Sequence, residues 1–410
     1  RGPHGRRGRF MKASDRVRTE LGDENADGRA GASDRKNGKT SGLSESSRTE
    51  KIRRAILLTI LPLLAAILTG GLLILAFGEN PFAFYGTIID RGIVSSSGLQ
   101  ETLIRMAPLL LIAAGLIVAF SAGIWNLGGD GQFLFGASLV GGLAATVSDA
   151  MPRGLMLIFM LSMSAAVGAA WTIVPALMKA RYGINEIITT LMMSAIGVNL
   201  ASLIVKVWFL TPERGLQIPR TRILDVSDRL PTLFGTRVHA GLVIGLVAVI
   251  ALHLMMRHTT LGLRLNLLGA NVKAARHAGL KVSKLIVVTF LLSGAFMGLA
   301  GGVEVLGVQG LVRAGFNPAL GLVVVPLVFL ARMNGWVTIA FVFLLSVLTI
   351  GGELATRQAG LPNDFGLLIV ALVLIFMTIA EYFEARRVRG ERTVWQTMSD
   401  RLLSRGRAGV

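Results

Sequence analysis

The sequence predicts an all-α polytopic membrane protein of about ten transmembrane helices, with both termini in the cytoplasm. Three observations carry this. The 410 residues are 52% hydrophobic and only 16% charged, where a soluble chain has about 25% charged residues. Several apolar runs exceed the roughly 18 residues that cross a hydrocarbon core as a helix. The basic residues flank those runs, where the positive-inside bias puts them. The formal net charge of +18 therefore reads as membrane-flanking charge, not as a nucleic-acid footprint.

Taken in order, residues 1–54 are polar and rich in Gly, Ser, Arg, Asp and Lys, the composition of a disordered cytoplasmic tail. Met11 is a candidate initiator, and no cleaved signal peptide is expected because the first apolar run begins only near Ala55. The Asn37 to Thr40 stretch NGKT ends like a phosphate loop, but Ser33 stands where that motif needs Gly.

The expected spans are 55–77, 107–123, 133–148, 155–177, 186–209, 240–256, 285–307, 319–331, 336–350 and 365–382. Between the first two, residues 82–106 read as short amphipathic or re-entrant pieces. The count relies on apolar length alone. It nevertheless leaves each strongly basic segment (48–54, 179–181, 257–284 and the tail 385–410) on one face, the cytoplasmic one. The transmembrane domain is thus 55–384.

Cysteine is absent, which excludes disulfides and thiol chemistry. The five histidines form no metal-ligand cluster in sequence. No Ser/His/Asp arrangement, paired carboxylates or HExxH motif supports chemistry on a substrate. Glu304 and Glu353 lie near the outer ends of spans seven and nine, as interfacial acids do.

Three stretches stand out. In 123–132, GIWNLGGDGQ, clustered glycines weaken the helix, and a new helix starts near Asp130, whose carboxylate suits a first turn. Asn126, Asp130 and Gln132 are costly in lipid. This is either a broken helix beside a translocation path or a capped turn at the membrane edge. In 183–190, GINEIITT, Asn185 is a cap and Glu186 sits in the favourable first turn. Thr189 and Thr190 face a polar path or bond back to the preceding turn. In 261–284, five basic residues and no acid surround a helix-capable segment, Asn271 to Ala278, with Gly279 as its stop. It is either a helix on the anionic inner leaflet or an insert for a partner's socket.

Together and in this order, GIWNLGGDGQFLFGA, GINEIITTLMMSAIGVNL and LGLRLNLLGANVKAARHAGL resemble the permease subunits of bacterial ATP-binding-cassette importers. The superfamily is that of branched-chain amino acid and simple-sugar permeases, in its nucleoside and sugar branch. The likeness covers about 55–384. It implies alternating access driven by a partner, with no cofactor in this chain: ATP and Mg would be bound by a separate, duplicated ATPase. It also implies a second permease subunit or a homodimer, an extracytoplasmic binding protein, surrounding lipid, and a place in the inner membrane. On the matching positions, Asn126, Asp130, Gln132, Asn185, Glu186, Thr189 and Thr190 become translocation-path candidates. Asn271, Lys273, Ala274, Ala275, Arg276, His277, Ala278 and Gly279 become the coupling helix and its stop.

The sequence departs from the family pattern in three places. Asp130 replaces a Glu, Ser194 and Ala195 replace an Asn-Tyr pair, and Pro326 removes a backbone donor from span eight. Rival readings are a permease for another small solute, such as branched-chain amino acids, or a stand-alone secondary transporter. The latter would need inverted repeats and acids near the midplane, and neither stands out.

Overall fold

The computed structural model describes residues 61–211, 218–362 and 365–388. The tail 1–54 and most of 385–410 lie outside the described residues. Fourteen helices are described: α1 (Leu61–Ala76), α2 (Pro81–Ile89), α3 (Ser96–Ser121), α4 (Gly129–Val147), α5 (Arg153–Trp171), α6 (Ile173–Tyr182), α7 (Glu186–Val207), α8 (Gly241–His258), α9 (Thr260–Ala270), α10 (Val272–His277), α11 (Val282–Glu304), α12 (Leu320–Leu330), α13 (Gly335–Gln358) and α14 (Phe365–Val388). Short π-helical turns join α2 to α3 and extend α11 through Val305–Gln309. Among the described residues, extended pairing is limited to two isolated bridges, Arg220 with Arg313 and Thr232 with His239.

Six membrane-capable segments meet both length and apolarity: α3, α5 continued by α6, α7, α8, α11 with its π turn, and α13. Three apolar segments are shorter: Leu61–Ala76, Leu320–Leu330 and Phe365–Ala380. At 1.5 Å per residue, the eleven residues of α12 reach about half of a ~30 Å hydrocarbon core.

Several boundaries differ from those expected. The run 82–106 holds short pieces only as far as Val94, namely α2 and the π turn; α3 then begins at Ser96, eleven residues before the apolar run. Ser95 caps it by accepting from Gly98 N at 3.3 Å, and the backbone ladder continues through Glu101 and Arg105 regardless of their polarity. Span four is two helices, α5 and α6, meeting at Thr172. Residues 351–358, expected in an external loop, extend α13 to Gln358, where Arg357 pairs with Glu353 one turn earlier.

The core is built around α3 and α11. From Met106 to Phe120 α3 is buried on every side, as a helix apolar all round must be. It packs against α8, α11 and α13. Helix α11 lies against α3, α4 and α5, and small residues let it approach closely. A Cβ on Gly298 would fall 2.2 Å from Ser164 O of α5, and one on Gly136 of α4 would fall 2.7 Å from Gly298 O. Gly168 and Gly294 meet in the same way. One glycine-lined seam therefore joins α4, α5 and α11. A second apolar cluster ties α2, α13 and α14 together through Phe84, Val347 and Phe365. Large apolar side chains such as Leu155, Ile158, Ile188, Met192 and Leu203 remain on the outside of α5 and α7, as a lipid-facing surface requires.

Candidate functional site

The first polar site is the interruption between α3 and α4. Helix α3 stops where Gly123 turns left-handed at φ 69°, and Ile124 N bonds back to Ala119 O at 2.9 Å. Residues 124–128 then run without helical structure to α4. Asn126, fully buried, organises them. Its amide nitrogen donates to Gln132 Oε1 at 3.1 Å and to Ser293 Oγ at 2.9 Å. Its oxygen accepts from Gln132 Nε2 at 2.9 Å and from Gly128 N at 3.2 Å. Asn126 and Gln132 thus form a reciprocal amide pair. Ser293 lies halfway along α11, so the pair sits deep within the helical bundle.

Asp130 occupies the first turn of α4. Its Oδ1 also accepts from Gly321 N, at 2.7 Å, in the first turn of α12. One carboxylate thereby faces two helix N-termini, each a partial positive charge. The approach needs glycine: a Cβ on Gly321 would lie 2.8 Å from Asp130 N and Oδ1. Alongside, Trp125 packs on Phe120 and Phe329 with ring centroids 5.4 and 5.0 Å away.

The second motif supports the first. Asn185 caps α7 by accepting from Ile187 N at 2.9 Å. Glu186 is nearly buried and pairs with Lys179 Nζ at 2.6 Å. Thr189 and Thr190 both bond back to Glu186 O, at 3.2 and 2.7 Å. Thr190 Oγ1 additionally accepts from Leu127 N at 3.2 Å, and Ser194 Oγ accepts from Gly131 N at 3.1 Å. The first turns of α7 therefore brace the break in the chain. Asn126, Gln132 and Thr190 spend their hydrogen-bonding capacity on this brace, while Asp130 keeps part of its surface open.

The basic segment forms a separate structure. Asn271 caps α10 by accepting from Lys273 N at 2.9 Å and Ala274 N at 3.0 Å. Gly279, at φ 77°, ends it in a Schellman turn: Leu280 N bonds to Ala275 O at 3.1 Å and Gly279 N to Arg276 O at 3.0 Å. Ala275 is buried, whereas Asn271, Lys273, Ala274, Arg276, His277, Ala278 and Gly279 are exposed. On the adjoining α9, Leu263 and Leu267 are exposed too, as is Val272 of α10. The surface there combines three exposed cations, Arg264 of α9 and Lys273 and Arg276 of α10, with an apolar rim.

Comparison with known families settles what this architecture belongs to. Residues 98–378 match the family described as branched-chain amino acid transport system / permease component. The chain belongs to this family. Among relatives of this permease, a glucose ABC transporter permease of Haloferax volcanii is 33% identical over 80% of the chain and 88% of its own length. A guanosine ABC transporter permease of Bacillus subtilis is 28% identical over 81% and 96%. A nucleoside ABC transporter permease of Lactococcus lactis is 26% identical over 80% and 91%. The permease is a multi-pass membrane protein by both its family and its six long apolar helices. Among the described residues, no group of three or more His, Cys, Asp or Glu side chains is arranged to hold a metal.

Sequence reasoning missed several partners in the site. Ser293 is a lone hydroxyl in an apolar run, and Gly321 lies 191 residues from Asp130; neither carries a local signal. Ser194 was visible only as a departure from the family pattern, and the structure gives it a bond to Gly131.

Proposed function

We propose that this chain is the membrane-spanning subunit of an ATP-driven importer for sugars or nucleosides. It does no chemistry itself. A partner ATPase, duplicated in one chain and holding ATP and Mg, closes on nucleotide, and the movement enters through α10. The bundle, with ten spans and both termini cytoplasmic, then alternates between outward- and inward-facing states. A second permease chain or a second copy completes the pore, a binding protein delivers solute from outside, and the inner membrane is the setting.

The observation that carries this reading is the build of α10. A helix of six residues has no stability of its own. This one is fixed at both ends, by the Asn271 cap and the Gly279 turn, yet presents Lys273 and Arg276 outward. Holding so short a helix in a set shape while leaving its cationic face uncovered is what a docking element requires. The substrate class is supported by relatives named for glucose, guanosine and nucleosides.

The test is charge reversal at Lys273→Glu with Arg276→Glu, both exposed and outside the folded core. ATPase co-purification and ATP-dependent uptake should both be lost while the permease keeps its melting temperature. Undiminished co-purification would sink the coupling assignment. Uptake that survives removal of the ATPase but collapses with the proton gradient would replace it with a secondary transporter.

A further inference from the structure

We propose that α9 is a lever that carries the movement of α10 into the interrupted segment 122–128, and that Gly269 is the positioning residue at its working end; this rests on the importer reading. Gly269 lies in the last turn of α9, two residues before the Asn271 that caps α10. A Cβ on Gly269 would run into Ser121 O and lie 2.9 Å from Gly123 N, and a Cβ on Gly123 would lie 3.0 Å from Gly269 Cα. Main chain thus rests on main chain where α3 turns left-handed and stops. Glycine within a helix costs up to about 1 kcal/mol relative to alanine; here it is what lets the two backbones touch.

The lever is held at one end and stiff at the other. Thr259 caps α9 by accepting from Gly262 N at 3.1 Å, and Asn266 Nδ2 donates to Met256 O at 3.2 Å. Both bonds tie α9 to the end of α8. At the far end a single residue, Asn271, separates it from α10. Leu265 and Leu268 of α9 share one buried apolar core with Ala275 of α10. A push on the exposed Lys273 and Arg276 therefore reaches Gly269 with little slack.

The receiving segment is soft beside this contact and anchored beyond it. Residues 124–128 have no helical structure. From Asn126 onward the chain is bonded to Ser293 of α11, to Thr190 and Ser194 of α7 and, through Asp130, to Gly321 of α12. A displacement at Gly123 is then taken up by residues 123–125, where Trp125 packs on Phe329 at the end of α12. A contiguous series of stiff elements ending on a compliant joint is the physical means by which distant sites are coupled.

The test uses the permease purified with its ATPase. Gly269→Ala drives a methyl group into the contact. The ATPase should still co-purify and hydrolyse ATP, because α10 remains exposed, while uptake of glucose or guanosine per ATP hydrolysed should fall about threefold or more. A smaller folded fraction alone would lower both rates and leave that ratio unchanged. A glycine inserted between Ala270 and Asn271, both exposed, slackens the joint without entering the packing and should act in the same direction, so the test survives a Gly269→Ala that fails to fold. Hydrogen exchange over residues 119–131 supplies a readout independent of solute: a non-hydrolysable ATP analogue should change it in the parent complex but not in the variants. The proposal is overturned if the folded variants keep the parent's ratio or its exchange response, or if they lose the ATPase, since the contact would then only place α10. Parent uptake that continues without ATP removes the importer reading; ATP-coupled uptake in parent and variants alike removes only the lever.

Discussion

The amide pair Asn126–Gln132 allows a quantitative test of what holds the helix break in place. Asn126→Ala removes four hydrogen bonds at a fully buried position. It leaves both polar atoms of the Gln132 amide, the Ser293 hydroxyl and Gly128 N without those partners. At about 0.6 kcal/mol per bond, the average for bonds within membrane bundles, the loss is about 2.4 kcal/mol. At ~1 kcal/mol per buried bond it is about 4 kcal/mol. Gln132→Ala removes only the two bonds of the pair, so it should cost about half as much. In the double variant those two bonds are lost once rather than twice. The coupling energy should therefore be about 1–2 kcal/mol, well above the ~0.3–0.5 kcal/mol scatter of independent sites. The assay is reversible unfolding of the detergent-solubilised permease by thermal or denaturant titration, carried through the four-cornered cycle. Two outcomes would refute the reasoning: additive losses, or Gln132→Ala costing as much as Asn126→Ala.

Other predictions follow from single contacts. Gly298→Leu should prevent α5 and α11 from closing, since even a Cβ there meets Ser164 O at 2.2 Å; folded yield by size-exclusion chromatography should fall to near nothing, and Gly154→Leu, where a Cβ meets nothing, should not change it. Gly279→Ala keeps open space but forces a left-handed Ala, costing about 1 kcal/mol; hydrogen exchange at Leu280 N should accelerate about fivefold or more, with global melting little changed. His239 is buried and held to a pKa of about 4 by that burial. The folded state therefore binds its proton less readily than the unfolded chain, whose value is about 6.5. Its contribution is fully present above pH ~6.5 and is lost as pH falls through ~4, a change on the order of 3 kcal/mol. His239→Gln should flatten that part of the stability–pH curve, and an unchanged slope would assign it to other groups.

The features written locally were legible in the sequence. The clustered glycines of 123–132 stop one helix and start another, and Asn185 and Asn271 announce helix starts because a short side chain reaches the orphan N–H groups of the next turn. Helix ends in mixed sequence were not. Hydropathy stops at Arg105, but α3 runs back to Ser96 because helical hydrogen bonds do not depend on side-chain polarity, and the same holds for α13 beyond Ile350. In the candidate site, the residue types singled out segments 123–132 and 183–194, which the structure brings together, but not their individual partners. Asp130 was visible as a first-turn acid, yet its second helix, α12, starts 190 residues downstream. Glu304 read as an interfacial acid, and nothing along the chain indicates that α3 brings Arg105 to line the same cavity.

The glycine seam has a mechanical consequence. Where side chains interlock, neighbouring helices slide by exchanging rotamers, a notch at a time. Along Gly136, Gly168, Gly294 and Gly298 main chain rests on main chain, with Thr172 Cγ2 against Gly294 as the one side-chain atom among the nearest neighbours, so the seam has few notches. Such a seam resists sliding, so in any conformational change α4, α5 and α11 would move together. Bending is left to the joints that already depart from regular helix: residues 122–128, the π turn after Glu304, and Arg332 and Met333, consecutive left-handed residues between α12 and α13. Stiffness and compliance are in this way assigned to different stretches of the chain.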